Sequence, residues 1–144
     1  MNASLVWDDV QVGDELTPLV LEMTATRVVA GAIASRDFMP VHHDREYANS
    51  QGAPDIFMNI LSDTGYCTRF LTDWAGPEAM VTALAIRLGV PVFPGSVLTF
   101  TGAVVRTELV EGKGIVDVAL QATNDLGDHV SGTARLVLPV RGDS

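Results

Sequence analysis

The apolar pattern of the chain changes once, near residue 80, and that single change limits the folds open to it. Ahead of it, apolar residues recur at helical spacings. After it, they fall in short runs separated by Gly, Pro and Asn-Asp turn signals, which read as strands. Strands joined by short turns pair antiparallel, because a parallel neighbour needs a crossover of a dozen or more residues. The pattern therefore predicts an α+β domain in which an antiparallel sheet covers one long helix.

The elements follow from local chemistry. Thr24 caps a helix running roughly from Ala25 to Arg36, with Val28, Val29, Ala32 and Ile33 on one stripe. Pro40 drives Met39 out of helical conformation, so this helix stops near Asp37. A short helix is expected over Asp44–Asn49, then a loop at Gly52-Ala53-Pro54. The longest helix is expected from about Ile56 to Trp74, stopped by Gly76-Pro77. Its Phe57, Ile60, Leu61, Cys67, Phe70, Leu71 and Trp74 cover most sides, which predicts burial. Strands are expected at Leu16–Met23, Met80–Leu88, Ser96–Leu109, Ile115–Thr123 and Val130–Val140. Gly112-Lys113-Gly114 and Asn124-Asp125-Leu126-Gly127 serve as turns, the last four strands form a meander, and the tail Arg141–Ser144 frays.

At 144 residues the chain is expected to be one domain spanning 1–144, large enough to build a core without disulfides or structural metal. The single cysteine, Cys67, excludes an internal disulfide and fits a reducing compartment. Nine basic residues, of which only Lys113 is a lysine, face eighteen acidic ones, giving a net charge of −9. That balance argues against nucleic acid and against an anionic membrane surface. The N-terminal segment has no basic and apolar leader pattern, and no run of residues is apolar enough to cross a bilayer. The expected location is cytoplasmic.

The dense polar cluster is Ser35-Arg36-Asp37-Phe38-Met39-Pro40-Val41-His42-His43-Asp44. A helix end and a proline-fixed turn put Asp37 and His42 on one short loop, close enough to hold one water between them. A carboxylate and an imidazole so placed can exchange protons with that water near neutral pH. The same residues also suit plain structural roles, an Asp as a cap and paired histidines on a surface. Metal binding is not expected, because His42, His43 and Asp44 are chain neighbours that cannot converge on one ion. Cys67 sits in an apolar helix, where a thiol packs rather than reacts. No nucleophile elbow and no glycine-rich phosphate loop is present.

Asp37-x-x-Pro40-x-His42, followed by Asp44 and Tyr47-Ala48, resembles the hydratase motif of the MaoC-like (R)-specific enoyl-CoA hydratases. Gly52-Ala53-Pro54-Asp55-Ile56-Phe57-Met58-Asn59-Ile60-Leu61 is similar to the segment entering that family's central helix. Arg87-Leu88-x-x-Pro91-Val92-Phe93-Pro94-Gly95 resembles its later strand and turn. The resemblance implies a hot-dog fold, an antiparallel sheet wrapped around a long central helix. It implies Asp37 and His42 as catalytic residues holding the water that adds to a 2-enoyl thioester. It also implies the backbone N–H of Asn59 as the donor to the thioester oxygen, with the Asn59 side chain altering access. Coenzyme A is then part of the substrate, and no cofactor and no metal is needed. The family commonly has Asn where this chain has Met39, and His-Gly where it has Met58-Asn59.

These departures, with Arg36-Asp37-Phe38, Val41-His42-His43-Asp44, Arg69-Phe70 and Thr72-Asp73-Trp74-Ala75-Gly76-Pro77, resemble one branch of the family. That branch holds the small catalytic subunits of heteromeric hydratases of bacterial steroid side-chain degradation. It implies a second MaoC-like hot-dog subunit in a heterodimer or heterotetramer, and a steroid enoyl-CoA with a shortened, three-carbon side chain. Two other readings stay open from sequence: a hot-dog acyl-CoA thioesterase, and a non-catalytic structural subunit.

Overall fold

The computed structural model describes residues 3–142. Strand β1 (Leu19–Met23) leads into helix α1 (Ala25–Ala34), a short turn of 3₁₀ helix at Pro40–His42, helix α2 (Arg45–Ser50) and helix α3 (Ile60–Ala75). Strands β2 (Met80–Leu88), β3 (Ser96–Val110), β4 (Lys113–Asn124) and β5 (Gly127–Leu138) complete the order. They form one antiparallel five-stranded sheet in the order β1-β3-β4-β5-β2. Helix α3 packs on one face of it through Phe70 and Leu71, and the Phe70 and Phe100 rings lie 6.1 Å apart. Val104, Val116, Val118, Leu136 and Leu138 line the same core. This is the α+β, hot-dog arrangement that the resemblance implies.

Four expectations change. Strands β3 to β5 form the meander, but β2 pairs with β5 at the far edge instead of folding back on β3. Between β2 and β3 runs a non-hairpin segment carrying Pro91 and Pro94. Its seven residues, Gly89 to Gly95, reach beyond the roughly 14 Å that three strand spacings require. The turn after β3 is the pair Glu111-Gly112, both at positive φ (50° and 77°), as a two-residue hairpin demands, so Lys113 and Gly114 already belong to β4. The first strand begins at Leu19, after Pro18, with Leu16 held beside the sheet by its N–H to the Gly102 carbonyl. Arg141 is tied down, its N–H donating to Asp8 and its guanidinium to Asp9; Gly142 follows in an exposed turn, and the Asp143 and Ser144 part of the expected frayed tail lies outside the described residues.

The two long helices also end differently from the sequence expectation. Thr24 caps α1 as predicted, its Oγ1 accepting from Arg27 N–H at 3.1 Å, but α1 closes at Ala34. Arg36 takes φ +57°, its N–H donates to the Ile33 carbonyl, and Asp37 N–H donates to the Ala32 carbonyl at 2.9 Å. This is a Schellman closure with arginine in the left-handed position. Helix α3 starts four residues later than expected, because the Asn59 side chain caps it by accepting from Ser62 N–H. Residues 56–59 precede it outside any helix, with Asn59 itself in extended conformation.

Candidate active site

The Schellman closure fixes where Asp37 stands, since the main chain of Asp37 is bound to the end of α1. The 3₁₀ turn at Pro40–His42 then reverses the chain and brings His42 back toward it. His42 is buried, with Nδ1 2.7 Å from the Phe57 carbonyl and its ring edge-on to Phe57 at 5.1 Å. A carbonyl only accepts, so Nδ1 carries a proton, and in the neutral tautomer this leaves Nε2 bare on the other side of the ring. Nε2 lies 3.4 Å from Asp37 Oδ2.

Asn59 completes the group. Its Nδ2 donates to Asp37 Oδ2 at 3.1 Å and to Ser35 Oγ at 2.9 Å, while its Oδ1 accepts from Ser62 N–H and Ser62 Oγ–H. Every donor and acceptor of this buried carboxamide is used, so its orientation is set. The hydrogen bond from Asn59 lowers the Asp37 pKa, against the opposing effect of burial and with help from Met39 N–H and, when the ring is protonated, from His42. Asp37 is therefore a carboxylate at neutral pH. The N–H of Asn59 makes no hydrogen bond among the described residues and sits at the start of the sixteen-residue helix α3, whose dipole favours developing negative charge there.

The sequence-predicted residues Asp37, His42 and Asn59 thus meet in one place. The Asn59 side chain does more than alter access: it is the support of Asp37, a role a glycine could not fill. His43 and Asp44 stand apart. The exposed His43 approaches the Phe38 carbonyl, and Asp44 caps α2 by accepting from Tyr47 N–H. Beside Ser35 and Ser62 a largely apolar groove of about 360 Å³ opens between α1 and α3, lined by Gly31, Ala34, Leu61, Gly65, Tyr66 and Arg69. The first turn of α3 faces outward here, with Ile60 and Leu61 each 49% exposed, so the helix is not buried on most sides at this end.

No protein-family model matches the chain. Over 125 residues it is 45% identical to the 3-oxo-4,17-pregnadiene-20-carboxyl-CoA hydratase beta subunit of Mycobacterium tuberculosis (strain ATCC 25618 / H37Rv), covering 87% of this chain and 94% of that one. The chain belongs to the MaoC-like hydratases. The fold agrees with that of a chain in the ChsH1-ChsH2 complex from Mycobacterium tuberculosis, at 44% identity and a TM-score of 0.83 over 89% of this chain and 98% of that one. A MaoC-like dehydratase from Rhodospirillum rubrum shares the fold at 21% identity, with a TM-score of 0.82 over 96% and 99% of the two chains.

In this MaoC-like hydratase a second polar pair lies inside the core, and the sequence reading missed it. Asp63 of α3 and His129 of β5 are 2.7 Å apart, and His129 Nδ1 donates to the Val90 carbonyl at 2.6 Å. Burial raises the Asp63 pKa against the pull of His129. For His129, the hydrogen bond and charge of Asp63 and the bond to Val90 outweigh burial and raise it too. The signal available was an aspartate four residues before Cys67 on the apolar side of the helix, a place a carboxylate occupies only with a partner. Cys67 packs as expected, with burial and then the Asp63 charge pushing its thiol up to about 12. Among the described residues no three His, Cys, Asp or Glu side chains converge as they would on a metal ion. No helix among them is long and apolar enough to cross a membrane.

Proposed function

We propose that the chain adds water to the double bond of a 2-enoyl-CoA, with Asp37 and His42 as the catalytic residues. The observation that carries this is the approach of His42 Nε2 to Asp37 Oδ2 at 3.4 Å, two hydrogen-bond acceptors when the ring is in its neutral tautomer. Two acceptors so placed repel each other unless a water donates one hydrogen to each. That water then presents its lone pair away from both, toward a substrate.

In the reaction the water oxygen bonds to Cβ, one of its protons passes to the Asp37–His42 pair, and the electrons of the double bond move onto the thioester as an enolate. A proton from the pair then goes to Cα. The Asn59 N–H and the α3 dipole stabilise the enolate oxygen. His42 Nδ1–H, held by the Phe57 carbonyl, steadies the ring while it carries the extra proton. The thioester itself is the electron sink, so no cofactor is required and coenzyme A is the substrate's handle.

The hydratase name of the M. tuberculosis relative supports a steroid acyl group with a shortened side chain, and the apolar α1–α3 groove suits one. The complex in which the structural relative occurs supports a second hot-dog subunit as partner. A reducing, cytoplasmic setting belongs to the same proposal, supported by the lone free thiol. The test is to express the chain with and without a MaoC-like partner and compare kcat/KM for a steroid 2-enoyl-CoA and for crotonyl-CoA. Loss of the enoyl absorbance without release of free CoA, and a steroid preference that appears with the partner, is expected. Release of free CoA would make the chain a thioesterase. Full activity alone on crotonyl-CoA would overturn the steroid and partner assignments and leave hydration standing.

A further inference from the structure

The Asp63–His129 pair lies in the core, 0% and 2% exposed, and Asp63 Oδ2 has no hydrogen-bond partner among the described residues. Removing such a pair from water costs about as much as its attraction returns, and apolar residues of similar volume commonly hold a core equally well. Stability alone therefore does not account for it. What a charged pair has and an apolar contact lacks is direction.

The hydrogen bonds around the pair close a circuit on the start of α3. Asp63 N–H donates to the Asn59 carbonyl at 3.3 Å, and Asp63 Oδ1 meets His129 Nε2. His129 Nδ1 donates to the Val90 carbonyl, and two residues on, the buried Val92 accepts from Met58 N–H at 3.0 Å, directly before Asn59. Gly89 and Val90 N–H groups in turn donate to the His129 and Asp128 carbonyls, fixing this segment to β5. The circuit meets α3 on both sides of Asn59, at its own carbonyl and at the N–H of Met58 before it. We propose that Asp63 and His129 are positioning residues that lock the first turn of α3 to the sheet and so set the placement of Asn59, its carboxamide on Asp37 and its N–H toward the thioester oxygen. This rests on the hydratase reading of the site; the tether itself does not.

Three full-length variants test it, in complex with the partner subunit if activity requires one. Asp63→Asn keeps a hydrogen-bonding side chain opposite His129 Nε2, its carboxamide donating to the bare nitrogen of a ring whose Nδ1–H stays on the Val90 carbonyl, and should hold kcat within about threefold of wild type, as a conservative rescue. The double variant Asp63→Leu/His129→Leu fills the space without direction. It should fold, yet lose at least about tenfold in kcat with KM within about threefold, since displacement of a reacting-site donor by about 1 Å costs up to about 10²-fold. Asp63→Ala, which leaves a neutral His129 on Val90, should act in the same sense and serves if the double variant does not fold.

Amide hydrogen exchange without substrate is read in parallel. The Ser62 and residue-63 amides should exchange at least about tenfold faster in the double and alanine variants, with the Val118 amide unchanged. Unchanged exchange at 62 and 63 in a folded variant would overturn the tether, whatever the enzyme's activity. Faster exchange with wild-type kcat would overturn its role in placing Asn59. A wild-type chain that hydrates no enoyl-CoA would sink the hydratase reading and with it the catalytic purpose of the lock, while exchange still decides the lock itself.

Discussion

The Asn59 carboxamide donates to Asp37 Oδ2 at 3.1 Å across 22 residues of sequence, so the residue that caps the central helix also holds the carboxylate of the site. Helix entry and acid–base loop are thereby one unit. A change at either end should be felt at the other.

Asn59→Gly removes that donor and leaves the main chain. The Asn59 bond is the largest cause of the lowered Asp37 pKa, so without it the pKa rises. The form that binds water is the carboxylate, hence the acid limb of kcat/KM should move to higher pH. The added loss should be largest near and below the ordinary aspartate value of 3.8 and should shrink toward neutral pH. A pH–rate profile that superimposes on wild type would show that Asn59 acts through its backbone alone.

Asp37→Asn and His42→Ala should each lower turnover by at least about 10²-fold. Asp37 is partly exposed on a loop, so its variant should melt like wild type. His42 is buried against Phe57, and its alanine variant should lose some thermal stability as well. Activity within threefold of wild type in either folded variant would remove the residue from the chemistry and favour a structural subunit.

Gly31→Ala tests the contact between α1 and α3. A Cβ on Gly31 would lie 2.2 Å from Ser62 Oγ, which is bound to Asn59 Oδ1. The serine must swing away and give up that bond, or the helices must part. Either frees the Asn59 carboxamide, so activity should fall about three- to tenfold while the fold persists, an overpacking cost of about 1–3 kcal/mol being tolerable. Wild-type kcat in Gly31→Ala, with a crystal structure showing Ser62 unmoved, would contradict this.

The site was legible where local chain rules decide. Pro40, the helix end before it and the Asp37–His42 spacing all act within a few residues, and the structure places the two side chains 3.4 Å apart. What escaped depends on residues distant in sequence. The Asn59 side chain reads as a cap until Asp37 arrives from α1, and His129 meets Asp63 only because β5 lies beneath α3, a separation of 66 residues. The place of β2 escaped for a related reason: the sequence marks the proline-bearing segment after it but not how far across the sheet that segment reaches. Helix α3 looked apolar from Ile56 onward because the pattern registers which residues are apolar and not that 56–59 lie ahead of the helix.

Cys67 offers a check on the core that needs no substrate. The thiol is fully buried in α3, four residues from Asp63, and its pKa is pushed up to about 12. At pH 8 the reactive thiolate is therefore almost absent, and the reagent has no path to the sulfur. An aromatic disulfide reagent should label no measurable fraction of the native chain over an hour, and one equivalent once the chain is unfolded in guanidinium. If Asp63 and Cys67 sit together in a core that opens only with the whole fold, the slow native labelling should follow global unfolding and rise with denaturant at the same slope. Rapid stoichiometric labelling under native conditions would place Cys67 at an accessible surface and contradict the packing of α3 on the sheet.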